Sequence, residues 1–257
     1  MKRALFTSFI CGMMMVGCRG PVSEIKITVI GDYPNITLPL SRYTAGVSFE
    51  NRRIECIVLG DGDDVTLIMA AIHGNEVAGR PLCHKLIGFL DEHRYLMAGK
   101  RVVVMPMVNP DGVAAGERHN ARGVDLNRNF EAANRQNNAT NGLAALTEPE
   151  SRVIKEVIRE YAPDRIVSLH EPLNCIDWDG PGEGLARRMG EFCDLPVNRL
   201  GSRPGSLGSY AGLTLGIPII TVEFPGGSGK LADEVLWVKY GTMLVAAVTY
   251  PEIPALR

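Results

Sequence analysis

Apolar residues in this chain gather into short, nearly unbroken runs separated by stretches of mixed character. Residues 65–72 form one such run and end at His73, and residues 102–108 form another that ends at Asn109. Residues 165–169 lead to His170, and residues 217–222 lead to Glu223. Runs rich in β-branched residues suit strands covered on both faces. Between them, residues 77–93, 148–161 and 231–250 carry the spacing of helices. Thr147 and Glu150 read as a capping box, with Pro149 in the first turn, where its missing N–H costs nothing. The alternation predicts an α/β fold, a single-domain α/β/α sandwich with a mixed, largely parallel central sheet. His73, Asn109, His170 and Glu223 each follow the carboxyl end of a predicted strand, the edge where open α/β sheets bind ligands.

The length of 257 residues, 46% of them hydrophobic, is enough for one full core. A net charge of -2 offers no basic field, and 6% aromatics offer no stacking surface, so nucleic acid is excluded as a partner. Lys2 and Arg3 precede an apolar stretch over residues 5–16, closed by Gly17 and Cys18. Residues 1–17 read as a secretory signal, too short to span a membrane. Residues 15–18 also resemble the lipobox of bacterial lipoproteins, which predicts lipidation of Cys18 and a membrane partner reached through the lipid. Arg19 after that cysteine favours the outer membrane, facing the periplasm. Residues 18–45 read as a lipidated N-terminus with a tether and an edge strand, and residues 46–257 as the catalytic domain. Of the remaining cysteines, Cys175 with Cys193 is the preferred bridge, the alternative being that the thiols are simply buried.

His73 and Glu76 stand three positions apart where a strand enters a helix, so both can face one ion. His170 arrives from a different strand and completes two nitrogens and one carboxylate. That set leaves a coordination place for water, as catalytic zinc sites require. Glu223, a carboxylate at the end of a buried strand, reads as a general base. His84 and His93 fall on the helix after the site and are expected to face solvent.

These fragments, together with Asn109-Pro-Asp-Gly112 and Gly123-Val-Asp-Leu-Asn-Arg-Asn-Phe130, resemble the zinc carboxypeptidase family over roughly residues 45–250. Arg118-x-Asn120, the run Ser168 to Asp177, and Pro204 to Tyr210 bring the likeness nearer to that family's bacterial cell-wall enzymes. Those cut between γ-D-glutamate and meso-diaminopimelate. The resemblance implies one zinc ion on His73, Glu76 and His170, attack by zinc-bound water, and Glu223 as the base. It implies that Arg118 polarises the scissile carbonyl and that Asn127 and Arg128 hold the substrate carboxylate. Arg122 is expected to support its loop or lie on the surface. Two features depart from the family pattern. No tyrosine occupies the mobile-loop position before the late glutamate, Tyr210 being out of register, and Glu131 replaces the proline after Asn-Phe.

A pocket for diaminopimelate also needs an acid for the amine, and Asp177 or Asp179 is the candidate, against the plainer reading of a turn. Leu207 and Gly208 are candidates for lining that pocket. Three other readings stand beside the cell-wall peptide substrate: a carboxypeptidase of ordinary L-peptides, a deacylase of small N-acyl amino acids, and an inactive wall-binding lipoprotein.

Overall fold

The structure, a computed structural model, describes residues 38–251. The signal sequence and the lipidation position Cys18 lie outside them. The strands are β1 (Leu40–Val47), β2 (Arg53–Leu59), β3 (Asp64–Ala70), β4 (Lys100–Met105), β5 (Arg165–His170), β6 (Leu173–Asp179) and β7 (Ile219–Pro225). They form one sheet in the order β1-β2-β4-β3-β5-β7-β6. β4 with β3, β3 with β5, and β5 with β7 pair in parallel, and antiparallel pairs close both edges. The helices are α1 (Gly79–Glu92), α2 (Pro110–Ala115), α3 (Pro149–Tyr161), α4 (Glu183–Gly190) and α5 (Asp233–Thr249).

Alternation along the central strands splits the core into two layers. Ile68, Ala70, Val102 and Val104 pack with residues of α1, α4 and α5 on one face. Leu67, Met69, Val103 and Met105 pack with α3 and with Leu126 and Phe130 on the other. Covered on both faces, these strands need apolar residues at every position, which is why they read as unbroken runs. No helix among the described residues is long and apolar enough to cross a membrane.

Four local expectations are corrected. The capping box does not form: the N-cap of α3 is Glu148, which makes no side-chain cap bond, and the Thr147 hydroxyl accepts from Asn129 instead. Glu150 is drawn away by the backbone N–H of Phe49 and by Asn120, so tertiary partners displace the local motif. Cys175 and Cys193 are free thiols, as are Cys56 and Cys83. Cys175 belongs to β6, whereas Cys193 packs toward Met243 on α5. His84 is exposed as expected, but His93 is half-buried, stacked on Phe89 with ring centroids 4.0 Å apart. Finally, the turn reading for residues 177–182 holds only at Gly180 and Pro181, since Asp177 to Asp179 are the end of β6, paired with β7.

Candidate active site

Four chain segments meet at the carboxyl edge of the central strands. Ala71, left-handed at φ 53°, turns the chain out of β3. The side chain of Asn109 steadies the segment beyond that turn, accepting from the amide of Gly112 and donating to the carbonyl of Ile72. His73 and Glu76 come next, just ahead of α1. His170 ends β5, with Glu223 beside it in the parallel register of β7.

His73, Glu76 and His170 are all buried, and one ligand atom from each lies within 4.8 Å of the others. Nδ1 of His73 is 2.8 Å from one oxygen of Glu76, and Nδ1 of His170 is 2.8 Å from the other. The two Nδ1 atoms are only 3.2 Å apart. The outer nitrogens have their own partners. Nε2 of His73 lies 3.1 Å from Asp125, and Nε2 of His170 lies 3.0 Å from the hydroxyl of Ser168. An ionised carboxylate can only accept, so Asp125 holds the His73 proton on Nε2 and leaves a lone pair on Nδ1. The Ser168 hydroxyl can serve His170 in the same way by donating to Nε2, and two ring nitrogens and a carboxylate converging this closely are a donor set that a cation would hold together. The residues therefore fit a zinc ion, with the outer partners orienting each ring as metal-binding histidines require.

Charge is arranged to keep the acids ionised. Burial alone would raise the Glu76 carboxyl, but His170 and His73 hold it well below the usual range. Burial likewise opposes ionisation of Asp125, and His73, Arg118 and Arg128 outweigh it. Glu223 behaves differently: burial pushes it up, opposed by the positive side of His170 and by the amide of Leu173, which donates to Oε2 at 3.3 Å. A carboxylate tuned upward beside a metal cluster is suited to taking and returning a proton.

His73, Glu76 and Glu223 line a cleft of about 490 Å³, together with Arg118, Asn127, Arg128, Asp177 and Asp179. Arg118 donates to Glu76 at 3.1 Å and to Asp125 through Nε and Nη2, both at 3.1 Å. Asn127 and Arg128 sit on a short 3-10 turn capped by Asp125, whose side chain accepts the amide of Asn127 at 2.9 Å. Asn127 in turn accepts the amide of Leu207. Leu207 itself is buried in the core, and its neighbours Ser206 and Gly208 line the cleft. Asp177 accepts the amide of Leu200 at 2.8 Å, and Asp179 accepts from Ser202, so both hold the loop after residue 198 as well as lining the cleft. Arg122 sits over the Phe49 ring, 3.8 Å from Glu148, in the supporting place expected of it. Tyr210 is buried and stacked on Phe130.

Three contributors were not legible as such in the sequence. Asp125 lies inside a recognised run, but its partner His73 is 52 positions away. Ser168 stands two residues before His170, a spacing that aligns their side chains on one strand face and was the available clue. Asn120 holds the loop between Arg118 and Asp125, accepting the amides of Arg122 and Val124 and donating to buried Glu148 and Glu150.

Residues 28–176 match the zinc carboxypeptidase family. Murein peptide amidase A of Escherichia coli K12 is 35% identical over 190 residues, covering 65% of this chain and 74% of that protein. Its counterpart in Vibrio campbellii is 32% identical over 188 residues, covering 65% and 72%. Among solved structures, murein-tripeptide amidase from Escherichia coli O157 superposes with a TM-score of 0.64 at 25% identity, covering 91% of this chain and 98% of that one. Carboxypeptidase A of Helicoverpa armigera reaches a TM-score of 0.67 over 83% and 70%, and at 20% identity that likeness carries the fold alone.

Proposed function

The chain belongs to the zinc carboxypeptidase family and is a metallopeptidase, and from that premise we propose that it hydrolyses the γ-D-glutamyl–meso-diaminopimelate bond of bacterial cell-wall peptides. The observation that carries the reading is that the His73–Glu76–His170 cluster opens, through His73 and Glu76, onto one cleft lined by Glu223, Arg118 and Arg128. Similarity to murein peptide amidases supports the cell-wall peptide as substrate.

His73, Glu76 and His170 would hold a zinc ion, which would supply Lewis acidity to polarise a carbonyl and acidify water. The chain's own residues do the rest. Glu223 takes the proton from the attacking water and returns it to the leaving amine. Arg118 spends three of its five N–H donors on Glu76 and Asp125, which leaves two for the oxygen on which charge develops. Asn127 and Arg128 bind the carboxylate of the released residue, for which an arginine fork is suited. Asp177, which also lines the cleft, receives the amine of that residue.

The pattern of residues 1–18 supports export and anchoring at Cys18, facing cell-wall material from the outer membrane. Loss of lipid labelling and of membrane fractionation in Cys18→Ala tests the anchor.

The zinc-loaded full chain, incubated with L-Ala-γ-D-Glu-meso-diaminopimelate, is expected to release diaminopimelate, followed by mass spectrometry. Glu223→Gln should lower kcat by about 10²–10⁴ while zinc content stays at one ion per chain. Release that persists in the variant would remove Glu223 from the chemistry. Metal-dependent cleavage of L-peptides in place of the wall tripeptide would overturn the substrate assignment.

A further inference from the structure

Two arginines line the cleft without a carboxylate partner among the described residues, Arg128 and Arg203. Arg118, by contrast, is engaged by Glu76 and Asp125. We propose that Arg203 is a second carboxylate-binding residue, beside Arg128, that selects a released residue bearing a carboxylate on its side chain. The proposal deepens the function proposed above and rests on it.

Arg203 is exposed but its backbone is held firmly. Its carbonyl accepts the amide of Ser206 at 3.0 Å and the hydroxyl of Ser209 at 2.7 Å. Gly205 then packs directly on the segment that carries Arg128. Its carbonyl accepts the amide of Phe130 at 3.0 Å, and a Cβ added there would meet the Arg128 carbonyl at 2.5 Å. With φ at +69°, the position favours glycine on both counts. The other end of the loop is tied to β6, through Leu200 to Asp177 and Ser202 to Asp179. The two arginines thus sit on abutting, anchored segments, and neither can drift away from the other.

Charge points the same way. Burial disfavours the Arg128 cation, Asp125 supports it, and the neighbouring charges of Arg118 and Arg203 oppose it again. Two like charges gathered in a cleft, neither within salt-bridge distance of a carboxylate among the described residues, are suited to an anionic ligand. One carboxylate of the released residue satisfies Asn127 and Arg128. A second anionic group is then needed for Arg203, and its planar fork suits a carboxylate. Diaminopimelate carries that second carboxylate. Lysine has a similar chain and the amine but lacks it.

The test compares L-Ala-γ-D-Glu-meso-diaminopimelate with L-Ala-γ-D-Glu-L-Lys on the zinc-loaded full chain, its Arg203→Ala variant and its Arg203→Lys variant. Binding of free meso-diaminopimelate and free L-lysine is read on the same proteins by calorimetry, which needs no turnover. The wild type should favour the dicarboxylate in kcat/KM and in binding by about tenfold or more. Arg203→Ala should erase that preference and leave the lysine substrate unchanged, with Arg203→Lys intermediate. Equal binding of the two amino acids by the wild type, or an equal loss for both in Arg203→Ala, would overturn the role of Arg203. Arg203-dependent binding without cleavage of either peptide would support Arg203 and overturn the proposed bond.

Discussion

Asp125 shows how much can rest on one side chain. It accepts from Nε2 of His73, from Arg118 and from the amide of Asn127, so it orients His73, Arg118 and the turn that carries Asn127 and Arg128 together. An asparagine there would set its amide N–H against one of those donors. Asp125→Asn should lower zinc affinity by about 10–100-fold, read by competition with a fluorescent chelator. Unchanged affinity would show that His73 needs no such support. Asp111 does comparable duty for stability. Although buried, it is held below the usual carboxylate range by the Ser48 hydroxyl, the Glu50 amide and Arg52, which together outweigh the upward push of burial. A depressed folded value means the contribution is present above the unfolded value of about 4 and is lost as pH falls through the folded one. Asp111→Asn should therefore cost roughly 1–3 kcal/mol at pH 7 in denaturant unfolding. The deficit should shrink on acidification below about pH 4, and a deficit independent of pH would mean the ionised form contributes nothing.

Among the elements, α1 sets the position of the metal cluster, because Glu76 lies in the turn that enters it. Its first residue, Gly79, presses on the sheet: a Cβ there would meet Leu169 at 2.6 Å and Ala70 at 2.8 Å. Gly79→Ala should push α1 off β3 and β5, destabilising the fold by about 1–3 kcal/mol despite alanine's better helix propensity. It should also weaken zinc binding, since Glu76 moves with the helix. A stabilised variant would mean the contact relaxes freely. The entry to α3 teaches the opposite lesson about local signals. Thr147 and Glu150 have capping-box spacing, yet Asn129 and Asn120 claim them through long-range bonds. Likewise the Asp-rich stretch ending β6 has the composition of a turn but is a strand, because β7 supplies a ladder partner.

At the scale of the whole molecule, the zinc proposed above would tie together segments that meet at His73, Glu76 and His170 from separate parts of the chain. Removing zinc with a chelator should abolish activity, and at a metal concentration 100-fold above Kd should forfeit about 2.7 kcal/mol. For a domain of this size that is a fall in Tm of about 5–10 °C, measured calorimetrically with and without zinc. A reductant, in contrast, should leave Tm unchanged, because the four cysteines of the described domain are unbridged. Sequence alone marked out the four parallel central strands and the helices α1, α3 and α5, since periodicity follows directly from which faces a sheet buries, but not β2, β6 or α4. It also singled out His73, Glu76, His170 and Glu223, which the fold brings to one edge of the sheet, because such chemistry demands particular residue types at strand ends. Tertiary structure alone decided the partners: Asp125 on His73, Ser168 on His170, Asn120 between two buried glutamates, and Arg203 beside Arg128. It also decided which thiols stay apart. Those pairings join residues distant along the chain, and nothing in local spacing records a contact that forms only when separate strands and loops are brought to one edge of the sheet.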